Sequence, residues 1–248
     1  NVSLMATIAY IPVRGGSKGV PKKNIHHLGG YPLIAYTIAV AKLSKYIERI
    51  IVSTDSEEIA KIALQYGAEV PFIRPSEFAQ DHSPDRGHTL HAMDWLKENE
   101  GSVPEYWVHL RATTPLRNSH VVDEAIQEIK NHPDSTSLRS GHPAPESPCK
   151  WFQRDNQGYF IGNCPEDKRP EYYNLPRQLF PKVYIPDGYV DILKSSFVLS
   201  SKSLNGNKTI GFISPHCYEV DTLEELEMIE FQLKKKGSPL LDYLKNIT

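Results

Sequence analysis

Long apolar runs are missing from this chain: none reaches the ~18 residues that a membrane-spanning helix needs, and no basic-then-apolar stretch marks a secretory leader. Neither a membrane nor export is therefore expected. Cysteine is scarce as well. Cys149, Cys164 and Cys217 are odd in number and widely spaced, and they match neither a metal-ligand spacing nor a disulfide framework. Free thiols in a reducing cytoplasm are the expectation. An excess of one charge is also absent: 28 Lys and Arg face 30 Asp and Glu, for a net charge of −2. No global field points to nucleic acid or to an anionic membrane, so any basic site must be local. Two phosphate-loop spacings, G-x-x-x-x-G-K-[ST] and G-x-G-x-x-G, do not occur after the first strand, which argues against a P-loop NTPase and a Rossmann dehydrogenase.

What is present is an ordinary globular composition, 40% hydrophobic and 23% charged over 248 residues, enough for one substantial core. The segments "TIAYIPV" (7–13), "RIIVSTD" (49–55), "VPFIRP" (70–75) and "YWVHLRAT" (106–113) read as strands. Helices are predicted over 31–44, 56–67, 86–99 and 119–131, with Ser56 placed to cap the second and Gly67 to stop it. Strands alternating with helices imply right-handed crossovers and a mostly parallel sheet, an α/β fold. The residues before Met5 carry no structural weight. After about residue 133, proline, aromatics and short polar runs predict hairpins and long loops, as an insertion or a contact between copies. A strand over 208–214 and a helix over 222–237, acidic early and lysine-rich late as the macrodipole prefers, follow.

The densest chemistry lies in "VRGGSKGVPKKN" (13–24). Gly15, Gly16 and Gly19 let backbone N–H groups approach an anion closely, while Arg14, Lys18, Lys22 and Lys23 supply countercharge. Ligands of parallel sheets bind at the C-terminal ends of strands, and this loop follows the first strand. In isolation it would read as a solvated basic turn. The strand before it and the helix after it favour an anion site.

The segment "RGGSKGVPKKNI" followed by "LGGYPLIAYTI" resembles the signature of the sialic-acid-type (acylneuraminate) cytidylyltransferases, with Arg14, Ser17, Lys18, Gly19, Lys23 and Asn24 filling the motif. Further matches come in order: "VSTDSEEIA" (52–60), "RPSEFAQDHSP" (74–84), "TTPLR" (113–117), "PCKWF" (148–152), "PRQLFPKVYIPDGYVDI" (176–192) and "EVDTLEEL" (219–226). The resemblance implies a Rossmann-like nucleotidyltransferase fold over 5–248, with 145–182 a smaller β-rich insertion used for dimerisation and substrate.

By the same resemblance, Arg14, Gly16, Ser17 and Lys23 would grip the triphosphate of CTP, and Asn24 would lie near the base or ribose. Arg74 and Ser83 match positions that read cytosine; alone, Arg74 would read as a surface arginine before a proline. Lys23, Arg14 and Asp221 would carry the catalysis. Glu219 and Asp221 are two apart, so on an extended segment both carboxylates point one way and suit a hard ion such as Mg²⁺. Glu219 departs from the Asp usual in the family. Asp221 would alternatively cap the following helix, and Asp55 reads as structural.

The sugar acid would be held by Arg111, Lys150, Arg177, Asp187, Tyr189 and Asp191, with Lys150 or Arg177 offered across a homodimer interface. Trp151 and Phe152 read as packing or interface residues. Arg111 replaces a glutamine of the family pattern, and Asp187 and Asp191 depart from the neuraminate pattern towards relatives acting on modified bacterial nonulosonates. The implied reaction is transfer of CMP from CTP to the anomeric hydroxyl of a nine-carbon keto sugar acid, releasing pyrophosphate. No motif places a histidine as base. The alternatives are a CMP-Kdo-type or other sugar nucleotidyltransferase, and a catalytically silent nucleotide-binding relative.

Overall fold

In the computed structural model, residues 6–16, 20 and 22–247 are described. In chain order these hold β1 (Thr7–Pro12), a short antiparallel pair β2 (His27–Leu28) and β3 (Tyr31–Pro32), α1 (Leu33–Leu43), β4 (Arg49–Ser53) and α2 (Glu57–Gln65). Then come α3 (Asp85–Glu100), β5 (Tyr106–His109), α4 (Ser119–Asn131) and β6 (Ser137–Pro143). A small hairpin, β7 (Phe152–Arg154) with β8 (Phe160–Gly162), precedes β9 (Tyr184–Lys194), α5 (Ser195–Ser200), β10 (Thr209–Ile213), α6 (Leu223–Lys236) and α7 (Pro239–Ile247).

Six strands form the central sheet in the order β10-β6-β9-β5-β1-β4. All run parallel except β9, which pairs antiparallel with both β5 and β6. The period-2 alternation of β1 divides the core: Ala9 and Ile11 face the layer of α1 and α4, whereas Ile8 and Tyr10 face α3. α1 is apolar almost all round because it lies between the sheet and α7. The parallel α/β expectation holds.

Two local readings are corrected. Residues 70–75 form no strand; the segment 69–74 runs beside β4 and the residue after it with two isolated bridges, Ile51 to Glu69 and Thr54 to Ile73, and no continuous ladder. Pro71 and Pro75 bracket it and remove ladder donors. Thr222, not Asp221, caps α6: its hydroxyl accepts from the Glu225 N–H, and the Glu225 carboxylate accepts from the Thr222 N–H. The Asp221 side chain is thereby left outside the cap.

The link from β6 to β9 contains the insertion. It carries the β7–β8 hairpin and a small cluster of Cys164, Tyr172 and Phe180, separate from the main core. Cys149 and Cys164 are joined in a disulfide, contrary to the expectation of free thiols; among the described residues only Cys217 is free. The hairpin folds back and brings the two cysteines to a Cα separation of 5.0 Å, a proximity that spacing alone does not reveal. Among the described residues no helix is long and apolar enough to cross a membrane.

Candidate active site

A cavity of about 290 Å³ opens where β1, β4 and β5 end. Arg14, Gly16, Lys23, Asn24, Arg74, Ser83 and Arg111 line it together, although 97 positions separate the first from the last (111 − 14). Ser17 lies outside the described residues. The loop after β1 is braced from below. Gly15 donates its N–H to the Asp55 carboxylate at 2.8 Å, and a Cβ there would sit tightly, 3.1 Å, against the Ser56 side chain. At Gly16 the missing side chain leaves open space. The reading of Asp55 as structural agrees with that bond.

Most cations of the cavity are held by carboxylates. Arg14 donates to Asp81 at 2.5 Å, Lys23 to Asp221 at 2.9 Å and Arg111 to Asp85 at 2.7 Å. Arg74 is different. It is buried, not a surface residue, and donates through Nε to the Ser53 hydroxyl and through Nη2 to the Ser53 carbonyl at the end of β4. Burial pulls its pKa down. Ser83 fixes a turn, accepting from the Gln80 N–H and donating to the Glu77 carbonyl. Asn24 spends its amide on the Arg14 carbonyl at 3.1 Å, so here it shapes the loop.

Arg111 follows β5, and its backbone is fastened by Arg117, the last residue of the "TTPLR" segment, to which the motif assigned no role. Arg117 is buried and donates to the carbonyls of Arg111, Thr114, Gly188 and Tyr189, tying the loop after β5 to β9. Burial lowers its pKa to about 10, still charged at neutral pH. Behind Arg111 stands a chain of polar groups. Asp85 Oδ1 lies 3.4 Å from His88 Nε2, and His88 Nδ1 lies 2.9 Å from the Tyr10 hydroxyl. The His88 bond, then the charge and hydrogen bond of Arg111, hold the Asp85 carboxyl well below the usual range. Burial pushes His88 down and His109 well down, so both imidazoles are neutral at neutral pH.

Sheet register extends this polar row. Tyr10 pairs with His109, His109 with Asp191 and Asp191 with Arg139, across β1, β5, β9 and β6. His109 Nε2, Asp191 Oδ1 and Arg139 Nε are buried with no hydrogen-bond partner among the described residues. Burial raises the Asp191 carboxyl, against the pull of Arg139 and Arg111.

The acid pair arrives from far downstream. Val220 donates its N–H to the Thr113 carbonyl at 2.8 Å, which docks the segment 219–221 beside the cavity. Glu219 lies over Gly188, where a Cβ would collide with its carboxylate and with the Thr114 hydroxyl. Asp221 reaches Lys23 across 198 positions. Two carboxylates and no nitrogen or sulfur donor form a set that suits a hard ion completed by phosphate oxygens and water. On that ground the residues fit Mg²⁺.

Residues 8–150 match the family model described as Cytidylyltransferase. The chain belongs to the cytidylyltransferase family. Post-translational flagellin modification protein B of Campylobacter coli is 33% identical over 239 residues, covering 94% of this chain and 97% of that one. A CMP-N,N'-diacetyllegionaminic acid synthase of Campylobacter jejuni is 31% identical with the same coverage of each. Among solved structures, CMP:2-keto-3-deoxy-manno-octonic acid synthetase complexed with CTP superposes with a TM-score of 0.69 at 14% identity, covering 93% of this chain and 99% of that one, a likeness of fold.

For this cytidylyltransferase the expected acceptor residues are not all brought together. Asp187 is fully engaged: its carboxylate accepts from Ser140, Ser214 and the Tyr189 N–H and meets His142 at 3.1 Å, so it is a structural acid. Tyr189 is buried, its hydroxyl accepting from the Asn118 N–H, and it presents no surface to a ligand. Asp191 stands beside His109 in the polar row and does not line the cavity. Lys150 donates to the Leu175 carbonyl and Arg177 to that of Pro145, both within the insertion. Arg177 lines a separate cleft of about 530 Å³ with Phe180 and Tyr184. Within one chain, Arg111 alone of the expected acceptor residues reaches the cavity.

Proposed function

We propose that the enzyme transfers CMP from CTP to the anomeric hydroxyl of a nonulosonic acid. The observation that carries this reading is the convergence of Arg14, Lys23, Arg74 and Arg111 on one cavity at the C-terminal edge of the sheet, with Asp221 beside Lys23. A tetraanionic triphosphate has the charge to displace Asp81 and Asp221 from Arg14 and Lys23, whose side chains are already aimed at the cavity. Arg74, held rigidly by Ser53, offers donors for the base. The acceptor hydroxyl attacks the α-phosphorus and pyrophosphate leaves. Positioning and fixed positive charge supply the catalysis. Asp221 and Glu219 would hold Mg²⁺, which neutralises charge on the phosphoryl oxygens.

The modified bacterial nonulosonates are the acceptor class we favour, on the 31% identity to a legionaminic acid synthase. Use of CTP supports a cytoplasmic setting. A homodimer is part of the same proposal, because Trp151, Phe152, Tyr159, Phe160 and Ile161 expose apolar surface on the insertion. A partner chain would then bring Lys150 or Arg177 to the acceptor.

The test is pyrophosphate release from CTP with N-acetylneuraminic, N,N'-diacetyllegionaminic, pseudaminic and 2-keto-3-deoxy-octonic acids. Lys23→Ala and Asp221→Ala are each expected to lower turnover by roughly a thousandfold, the scale of losing one charge-stabilising group, with unchanged melting temperature. Turnover surviving in either variant removes that residue from the mechanism. No acid-dependent pyrophosphate release from the unaltered protein rejects the reading.

A further inference from the structure

We propose that Asp85 is a positioning residue, which anchors one edge of the Arg111 guanidinium so that its other edge faces the carboxylate of the acceptor acid. This rests on the CMP-transfer reading above and adds a residue that neither the motif nor the family match singled out. Arg111 donates through Nη2 to Asp85 Oδ2 at 2.7 Å, and both side chains line the cavity. Among the described residues the guanidinium has no other hydrogen-bond partner, so its Nη1 and Nε donors remain for a ligand. Asp85 opens α3 immediately after Pro84, which fixes where the carboxylate begins.

Both oxygens of Asp85 are spoken for, Oδ2 by Arg111 and Oδ1 by His88. It is therefore not a spare metal ligand. His88 is in turn held by the Tyr10 hydroxyl on β1, so the chain Tyr10–His88–Asp85–Arg111 runs from the sheet core to the cavity wall. A neutral His88 contributes direction without cancelling the Asp85 charge. Structural need alone does not account for the pair. Asp85 and Arg111 side chains are 38% and 39% exposed, and ion pairs so exposed add little stability. Arg111 also feels the carboxylates of Asp191 and Glu219. An untethered guanidinium would turn to them and be lost to the acceptor; Asp85 holds it away. A planar fork with one edge anchored and one edge open is matched to a carboxylate, the group that separates sugar acids from neutral sugars.

The experiment uses the full chain and whichever acid of the panel it turns over. Asp85→Ala and Arg111→Gln should each raise the acceptor KM about ten- to hundredfold, the scale of a misplaced contact, while the CTP KM stays within about twofold. Asp85→Asn keeps an acceptor for the Nη2–H and should fall between the parent and Asp85→Ala. Adding Asp85→Ala to Arg111→Gln should change the acceptor KM by no more than about twofold, because the two act as one unit. Additive effects in the double variant, or acceptor and CTP KM rising together, overturn the proposal. Should Asp85→Ala fail to fold, the KM split in Asp85→Asn decides in its place. An unaltered acceptor KM in these variants rejects the Asp85 role alone, whereas a parent protein that turns over none of the acids rejects this and the function together.

Discussion

The central sheet and the insertion between β6 and β9 are held together in opposite ways. The sheet buries Trp107, Tyr10, Ile8, Ile11 and Ile51 completely and covers both faces with helices. The insertion has three buried apolar side chains, a disulfide and a row of aromatics open to solvent. Burial on the sheet side extends to titratable groups, among them His88, His109 and Asp191. In the insertion the only shifted groups, Asp167 and Arg169, owe their shifts to pairing with each other. The cavity at the end of the sheet thus stands on a packed scaffold and is exposed to acid. The part carrying Lys150 and Arg177 stands on a covalent staple and is exposed to reductant.

The largest expected effect breaks that staple. Closing a loop of 15 residues stabilises by about 3 kcal/mol in the chain-entropy account. Reduction, or Cys149→Ser, should speed hydrogen exchange at the Ile161 amide by roughly a hundredfold, since each 1.4 kcal/mol is a factor of ten. Amides of β1 and β5 should keep their rates. Equal acceleration in both regions would show that the insertion and the sheet open as one unit, and the comparison would fail.

The same contrast governs what could be read from sequence. β1, β4, β5 and α4 were legible because each keeps one period and buries a clear face, and Ser56 caps α2 as its position suggests. α7 was missed although Pro239, Leu240 and Leu244 carry a helical signal. β9 was hidden by its own chemistry: Asp187 and Asp191 interrupt an apolar strand because they serve a hydrogen-bond cluster and a polar row. The motif resemblance led us to expect Lys23 and Asp221 in one site, but not their ion pair. Arg111 with Asp85 and Cys149 with Cys164 are products of the tertiary fold, and spacing carries no trace of them. Asp187 and Tyr189 misled for the converse reason, since a polar side chain satisfied inside the protein looks in sequence like one waiting for a ligand.

A smaller effect sharpens the acid side of the comparison. Burial lowers the folded pKa of His109 well below its ordinary value, and in the unfolded chain it titrates near 6.5. Below about pH 6.5 the unfolded state takes up a proton that the fold refuses. The stability due to neutral His109 is complete above that pH and declines as pH falls, by about 1.4 kcal/mol per unit, until the folded imidazole itself protonates. Burial of His88 adds a change of the same sign. Urea midpoints measured between pH 5 and 6.5 should fall with this slope, and His109→Leu should remove one proton's share. A slope left undiminished by the substitution assigns the acid sensitivity to another group.

The smallest stability effect is expected where the exposed aromatics lie. Phe160 is 72% exposed on β8, stacked on Phe152 with ring centroids 5.2 Å apart. Phe160→Glu should shift the unfolding free energy by no more than about 0.5 kcal/mol, as for a surface substitution. Its consequence should instead appear in assembly. If the insertion completes itself against a second copy, the parent sediments as a dimer at assay concentration and Phe160→Glu as a monomer, because a carboxylate buried in an apolar contact has no partner. The acceptor KM should then rise with dissociation, through loss of the partner's cation, while CTP binding to the sheet-borne cavity persists. A parent that sediments as a monomer would mean that the aromatics of the insertion face solvent in the working enzyme, and that Arg111 meets the acceptor without help from another chain.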